Sequence, residues 1–132
     1  MLPPRAAHAL AALSFALACS TFAGEAQPYR AEAGNRVDRQ TLRGWQVLRQ
    51  FDCARCHGKD YDGAVGPSLI DYVERFDLAR FERDLLDGNP GRGMPGYRGI
   101  NEVAEARVGI FAYLRARADR AITGGGLSQI EP

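Results

Sequence analysis

The run Cys53-Ala54-Arg55-Cys56-His57 constrains this chain more than any other stretch. Two thiols three residues apart, followed at once by an imidazole, permit a disulfide, a zinc site or a covalent haem link. Each makes a different demand on the rest of the chain. A thioredoxin-like dithiol sits in a βαβ pattern, and no strand-like alternation flanks the motif. Zinc needs four protein ligands, or three and a water. No second Cys-x-x-Cys and no spaced histidine pair completes that set, and an adjacent Cys and His do not easily face one tetrahedral ion. Haem attachment asks only for what is present. Each thiol adds across a porphyrin vinyl group, and the next residue, His57, binds the iron.

The N-terminus gives this reading a compartment. Arg5 gives a charged start, Ala9 to Ala18 is an apolar run broken only by Ser14, and "STFAG" follows with small residues at Thr21 and Ala23. These are the three parts of a secretory signal peptide. The apolar run falls well short of the roughly 20 residues that span a bilayer. A lipoprotein site at Cys19 is disfavoured because Ala16, not Leu, stands three residues before it. Residues 1–23 are therefore expected to be removed on export to the periplasm, leaving no membrane span. Cleavage after Ala23 leaves Cys53 and Cys56 as the only cysteines, His57 as the only histidine and Met94 as the only methionine. Basic and acidic side chains then balance, so nothing argues for nucleic acid as a partner.

Periodicity organises the remainder. Residues 24–37 are polar and aperiodic, and read as an extended arm. Asp38 is placed to cap a helix over Arg39–Gln50, with Leu42, Trp45 and Leu48 on one apolar face together with Val47 and Phe51. Residues 58–67 have loop composition, and Leu69–Phe76 suits a short helical turn. Asp77 caps a second helix over Leu78–Asp87 that stops at Gly88. Residues 88–99 ("GNPGRGMPGYRG") form a Gly/Pro loop. Asn101 caps a last helix over Glu102–Ala118 whose inner face is Val103, Ala106, Ile110, Tyr113 and Leu114. Residues 121–132 read as a flexible Gly-rich tail. The domain over residues 38–120 is thus all-α. Three or four short helices bury little apolar surface, and a domain of this size is marginal without help. A flat apolar cofactor would supply the missing core.

The second axial ligand to a haem iron follows by elimination. Bis-histidine ligation within one chain is excluded once residues 1–23 are gone. Met94 offers a soft thioether on a glycine-rich loop that can approach a flat ring closely, and "RGMPG" is not the apolar face of a core gap-filler. Lys59, the only lysine, competes, but it sits too near the attachment site to reach the opposite face. A calcium loop beginning at "DYDG" (residues 60–63) fails, because Ala64 and Asp71 occupy positions that need a ligand and a glutamate.

"CARCHG", "GPSL" at residues 66–69 and "GMP" at residues 93–95, ahead of a helix carrying Tyr113-Leu114, resemble the class I c-type cytochromes over about residues 44–115. The resemblance implies a small cytochrome c fold wrapped around one covalently attached haem c. It also implies that the carbonyl of Pro67 accepts the Nδ1–H of His57 and raises the basicity of that ligand. A further implication is a crossing of first and last helices at a small residue against an aromatic, here Gly44 against Tyr113 or Phe111. More narrowly, "RGWQVLRQFDCARCHG", "GNPGRGMPGY" and "YLRARAD" are similar to periplasmic cytochromes reduced by pyrroloquinoline-quinone (PQQ) alcohol dehydrogenases.

The expected function is one-electron transfer, by a monomer, between redox proteins. A PQQ-dependent alcohol dehydrogenase is the expected donor and a downstream cytochrome or oxidase the acceptor. With both axial positions filled the chain is expected not to be an enzyme. Arg55, Arg92 and Arg98 flank the expected haem edge and are placed to steer an acidic partner. Propionate contacts fall to Tyr97, Trp45 or an arginine. The rival readings are a general electron donor to a terminal oxidase or reductase, and a haem enzyme or gas sensor in which Met94 is not on iron.

Overall fold

The computed structural model describes residues 26–132; the expected signal peptide, with Cys19 and the lipoprotein alternative, lies outside them. Five helices follow one another: α1 (Arg39–Gln50), α2 (Ala54–His57), α3 (Leu69–Arg75), α4 (Leu78–Asp87) and α5 (Asn101–Ala118). Three strands of two residues each, β1 (Ala31–Glu32), β2 (Arg36–Val37) and β3 (Ser128–Gln129), complete the chain. Among the described residues no helix is long and apolar enough to cross a membrane.

Asp38 starts α1 as its sequence position suggests. Its carboxylate accepts from the Thr41 N–H at 2.9 Å, from the Thr41 hydroxyl at 2.7 Å and from the Arg30 N–H at 2.7 Å. One side chain thus caps the helix and ties it to the preceding arm. Burial pushes this carboxyl up, but the donors on Arg30 and Thr41 outweigh it and hold it below the usual carboxylate range. Ser68 and Asp77 cap α3 and α4 in the same way, accepting from Asp71 N at 3.0 Å and from Arg80 N at 2.8 Å. Asn101 does not act as a cap. The helix already includes it, and Ile100 holds the cap position with no side-chain acceptor.

Helix α5 is the hub. It packs against α1, α3 and α4, and it buries Gly109, Phe111, Ala112 and Ala116 besides the expected inner face. A helix touched on several sides cannot keep one polar face, which is why its burial exceeds the single stripe that periodicity suggests. The α1–α5 crossing differs from the expectation of a glycine against an aromatic. Gly44 lies on Gly109: a Cβ on Gly44 would strike the Gly109 carbonyl, and one on Gly109 would strike the Gln40 carbonyl. Two glycines let the backbones touch, which frees the aromatics for other partners. Tyr113 meets Tyr61 edge-on at 5.9 Å, and Phe111 meets Phe81 at 5.4 Å.

The terminal segments also differ from a free arm and a flexible tail. β1 and β2 form an antiparallel hairpin, and β3 runs parallel to β2, with Ile130 N donating to Val37 O at 2.9 Å. Asn35 accepts from Thr123 N at 2.9 Å, the Tyr29 hydroxyl donates to Asp119 at 2.9 Å, and Val37 and Ile122 are buried. Strands of two residues are too short to show alternation, so the pairing leaves no periodic signature.

Gly109→Ala is expected to lower the unfolding free energy by about 3 kcal/mol or to prevent folding, because neither backbone can retreat. Urea unfolding measures it. Asp38→Ala is expected to cost about 1–2 kcal/mol near neutral pH. A carboxyl depressed on folding adds stability above its unfolded-state pKa and loses it as pH falls through the folded value. The difference between wild type and Asp38→Ala should therefore shrink in acid.

Candidate functional site

The chain leaves α1 at Phe51, turns through Asp52 with a positive φ of 51°, and enters α2 with Cys53 at its N-cap. Cys53 is half-buried, Cys56 is exposed, and the two form no disulfide with each other. Burial pushes the Cys53 thiol up to about 11, with nearby Asp52 adding to the shift. That is opposite to the depressed value of a redox-active dithiol. Among the described residues no three His, Cys, Asp or Glu side chains gather to hold a metal ion. The disulfide-exchange and zinc readings therefore gain no support here.

His57 is buried, and its Nδ1 lies 2.8 Å from the carbonyl oxygen of Pro67. A carbonyl only accepts, so Nδ1 carries the proton and donates it. In the neutral ring Nε2 is then left with its lone pair, the form that binds a metal. Loop bonds hold this arrangement. Gly63 N donates to His57 O at 2.8 Å, and Gly66 N donates to Cys56 O at 2.6 Å. Tyr61 O accepts from Leu69 and Ile70 as α3 begins. Gly66 touches the ring so closely that a Cβ there would stand 3.1 Å from both Cε1 and Nδ1 of His57. The sequence singles out Pro67 but not the glycine before it, whose role depends on a contact across the loop.

Met94 sits on an equally braced turn. Asn89 and Met94 form an isolated antiparallel bridge, with N–H to carbonyl distances of 2.9 and 3.1 Å in the two directions. Between them Pro90–Arg92 makes one 3-10 turn, closed by Gly93 at a φ of 86°. Regular structure thus replaces part of the expected irregular loop. Beyond Met94, Tyr97 N and Arg98 N donate to Leu85 O and Leu86 O at the end of α4, at 3.3 and 3.1 Å. At Gly88, with a φ of 67°, a Cβ would meet the backbone of Pro95 and Gly96.

The two ends of the site approach each other at Tyr97. Its ring meets Phe51 edge-on, with centroids 6.3 Å apart and planes at 87°. Burial raises the Tyr97 hydroxyl above its ordinary value, and the nearby thiols of Cys53 and Cys56 add to this. Half-buried Trp45, Phe51, Cys53, Leu69, Ile70, Leu78, Met94 and Tyr97 all pack on the core without being sealed by it. Two thiols, a lone imidazole nitrogen, one thioether and a partly covered apolar lining fit a covalently held haem. Of the three arginines expected at the edge, Arg55 and Arg92 are exposed, while Arg98 is ion-paired with Asp87.

Comparison with known proteins bears on the same residues. A family model described as cytochrome c oxidase, cbb3-type, subunit III matches residues 39–114. Cytochrome c-555 of Methylococcus capsulatus (strain Bath) is 27% identical over 94 residues, covering 70% of this chain and 75% of that protein. Cytochrome c-551 of Bacillus subtilis is 29% identical over 80 residues, covering 61% and 70%. In fold, the chain is similar to the crystal structure of the c-type cytochrome XoxG from Methylobacterium extorquens AM1. The TM-score is 0.67 at 23% identity, covering 83% of this chain and 77% of that one.

Gly66→Ala is expected to push the imidazole away from Pro67 and weaken the 2.8 Å bond. Proton exchange at His57 Nδ1, followed by NMR, should then be faster than in the wild type.

Proposed function

Because the chain belongs to the cytochrome c family, as a class I monohaem member with one covalently attached haem c, we propose that it is a periplasmic electron carrier between a quinoprotein alcohol dehydrogenase and a downstream cytochrome or oxidase. The electron-transfer role is that of the family, and the chain is not an enzyme. Compartment, donor and ligand set are the proposal. The observation that carries His57 as a ligand is its hydrogen bond to Pro67, which leaves one ring nitrogen for iron.

In this reading Cys53 and Cys56 would form the thioether links, and His57 and Met94 would hold the iron. When bound, the haem supplies a one-electron Fe(II)/Fe(III) couple, and a thioether ligand favours the reduced state. The protein's own contribution is rigidity. The Pro67 carbonyl fixes the tautomer and orientation of His57. The Asn89–Met94 bridge holds the Met94 backbone at a set place on its turn. A braced backbone at both residues limits the rearrangement that accompanies a change of charge. Exposed Cys56, with Arg55 and Arg92 near it in sequence or on the Met94 turn, offers a small cationic edge suited to brief encounters with an acidic partner. The signal-peptide pattern of residues 1–23 supports the periplasm, and the likeness of the Cys and Met segments supports a quinoprotein donor. A second reading, direct delivery of electrons to a terminal oxidase, is favoured by the oxidase-subunit description of the matching family model.

Met94→Ala is expected to abolish the sulfur–iron charge-transfer band of the ferric protein, to lower the potential and to admit carbon monoxide when reduced. An unchanged potential would remove Met94 from iron. The donor is tested by mixing oxidised protein with a reduced quinoprotein alcohol dehydrogenase and following haem reduction. Rates no faster than with an unrelated dehydrogenase would contradict that assignment.

A further inference from the structure

The bonds that brace Met94 are all local. Asn89, Leu85 and Leu86 supply them, so they fasten the turn to α4. Helix α4 is in turn fastened to α5, through the Phe81–Phe111 contact and an ion pair between Arg107 and Glu82 at 2.8 Å. None of these contacts joins the turn directly to the segment that carries Cys53, Cys56 and His57. Of the aromatic pairs among the described residues, Phe51 with Tyr97 joins the two directly. Phe51 caps α1 two residues before Cys53, and Tyr97 lies three residues after Met94. Both rings are half-buried, and their near-perpendicular planes suit the attraction of a ring edge to a ring face. The hydroxyls of Tyr29, Tyr72 and Tyr113 make hydrogen bonds, whereas those of Tyr61 and Tyr97 have no protein partner among the described residues.

We propose that Phe51 and Tyr97 form a latch that holds the Met94 turn against the Cys53–His57 segment, and that it acts through the two rings rather than the Tyr97 hydroxyl. They are positioning residues: neither is a ligand, and their contact sets how readily Met94 leaves its place. The inference rests on the reading of Met94 as an axial ligand. It makes the ring of residue 97 a determinant of ligand retention and assigns its phenol oxygen no part in holding the turn.

The test is titration of the ferric holoprotein with imidazole, which must displace Met94 to bind, followed by loss of the sulfur–iron band. Tyr97→Ala and Phe51→Ala are each expected to bind imidazole about three- to tenfold more tightly than wild type, the scale of one lost aromatic pair. The double variant should be no tighter than the tighter single one, because both changes break the same contact. Tyr97→Phe should stay within about twofold of wild type, since it keeps the ring. Phe51→Leu, which preserves apolar volume, provides a folded stand-in where Phe51→Ala does not fold. Unchanged imidazole affinity in the alanine variants, or an equal effect of Tyr97→Phe, would overturn the latch. A wild-type protein that lacks the band altogether would instead overturn the ligand assignment of Met94.

Discussion

Contact between Gly44 and Gly109 is the constraint from which the rest of the structure follows. With no Cβ on either residue, α1 and α5 meet backbone to backbone. That contact fixes where α1 ends, and so where Phe51, Cys53 and His57 begin. Any side chain at the crossing would lift α1 and carry the whole attachment segment with it. The paired arm and tail act on the same two helices. Asp38 binds the arm to the start of α1, and Tyr29 reaches Asp119 just past the end of α5.

From this crossing the two proposed ligands are reached by different routes. His57 is set by the loop that returns to it, through Gly63, Gly66 and the Pro67 carbonyl. Met94 is set by a tight turn built on the end of α4. Both routes lead back to α5, one through α1 and one through α4. The ligands therefore share one rigid reference although they lie far apart in sequence. An electron carrier benefits from this arrangement, because a site that hardly moves between redox states has a small reorganisation cost.

Much of the fold is legible in the sequence where one residue carries one instruction. Asp38 and Asp77 announce their helices, and Gly88 ends α4, because caps and stops are local. The Cys-x-x-Cys-His run and Met94 stand out in the sequence because each carries a functional group that is scarce in this chain, whereas Pro67, one of seven prolines, is picked out only by the resemblance. What the sequence hides is relational. Gly109 looks like a weak point in a helix until Gly44 lies on it. Gly66 looks like loop filler until the His57 ring touches it. Ser128–Gln129 looks like tail because a two-residue strand has no period to display. Arg98 looks like a free cation until Asp87 pairs with it. In each case the meaning lies in a partner distant in the chain.

The central claim is that a thioether from Met94 and an imidazole from His57 hold the iron of one haem. Proton NMR of the reduced, diamagnetic protein tests it most directly, since Met94 is the only methionine in the described residues. Its methyl group, held over the face of the ring, should give a single resonance displaced far upfield by the ring current. A Met94 methyl at its ordinary position would contradict the account.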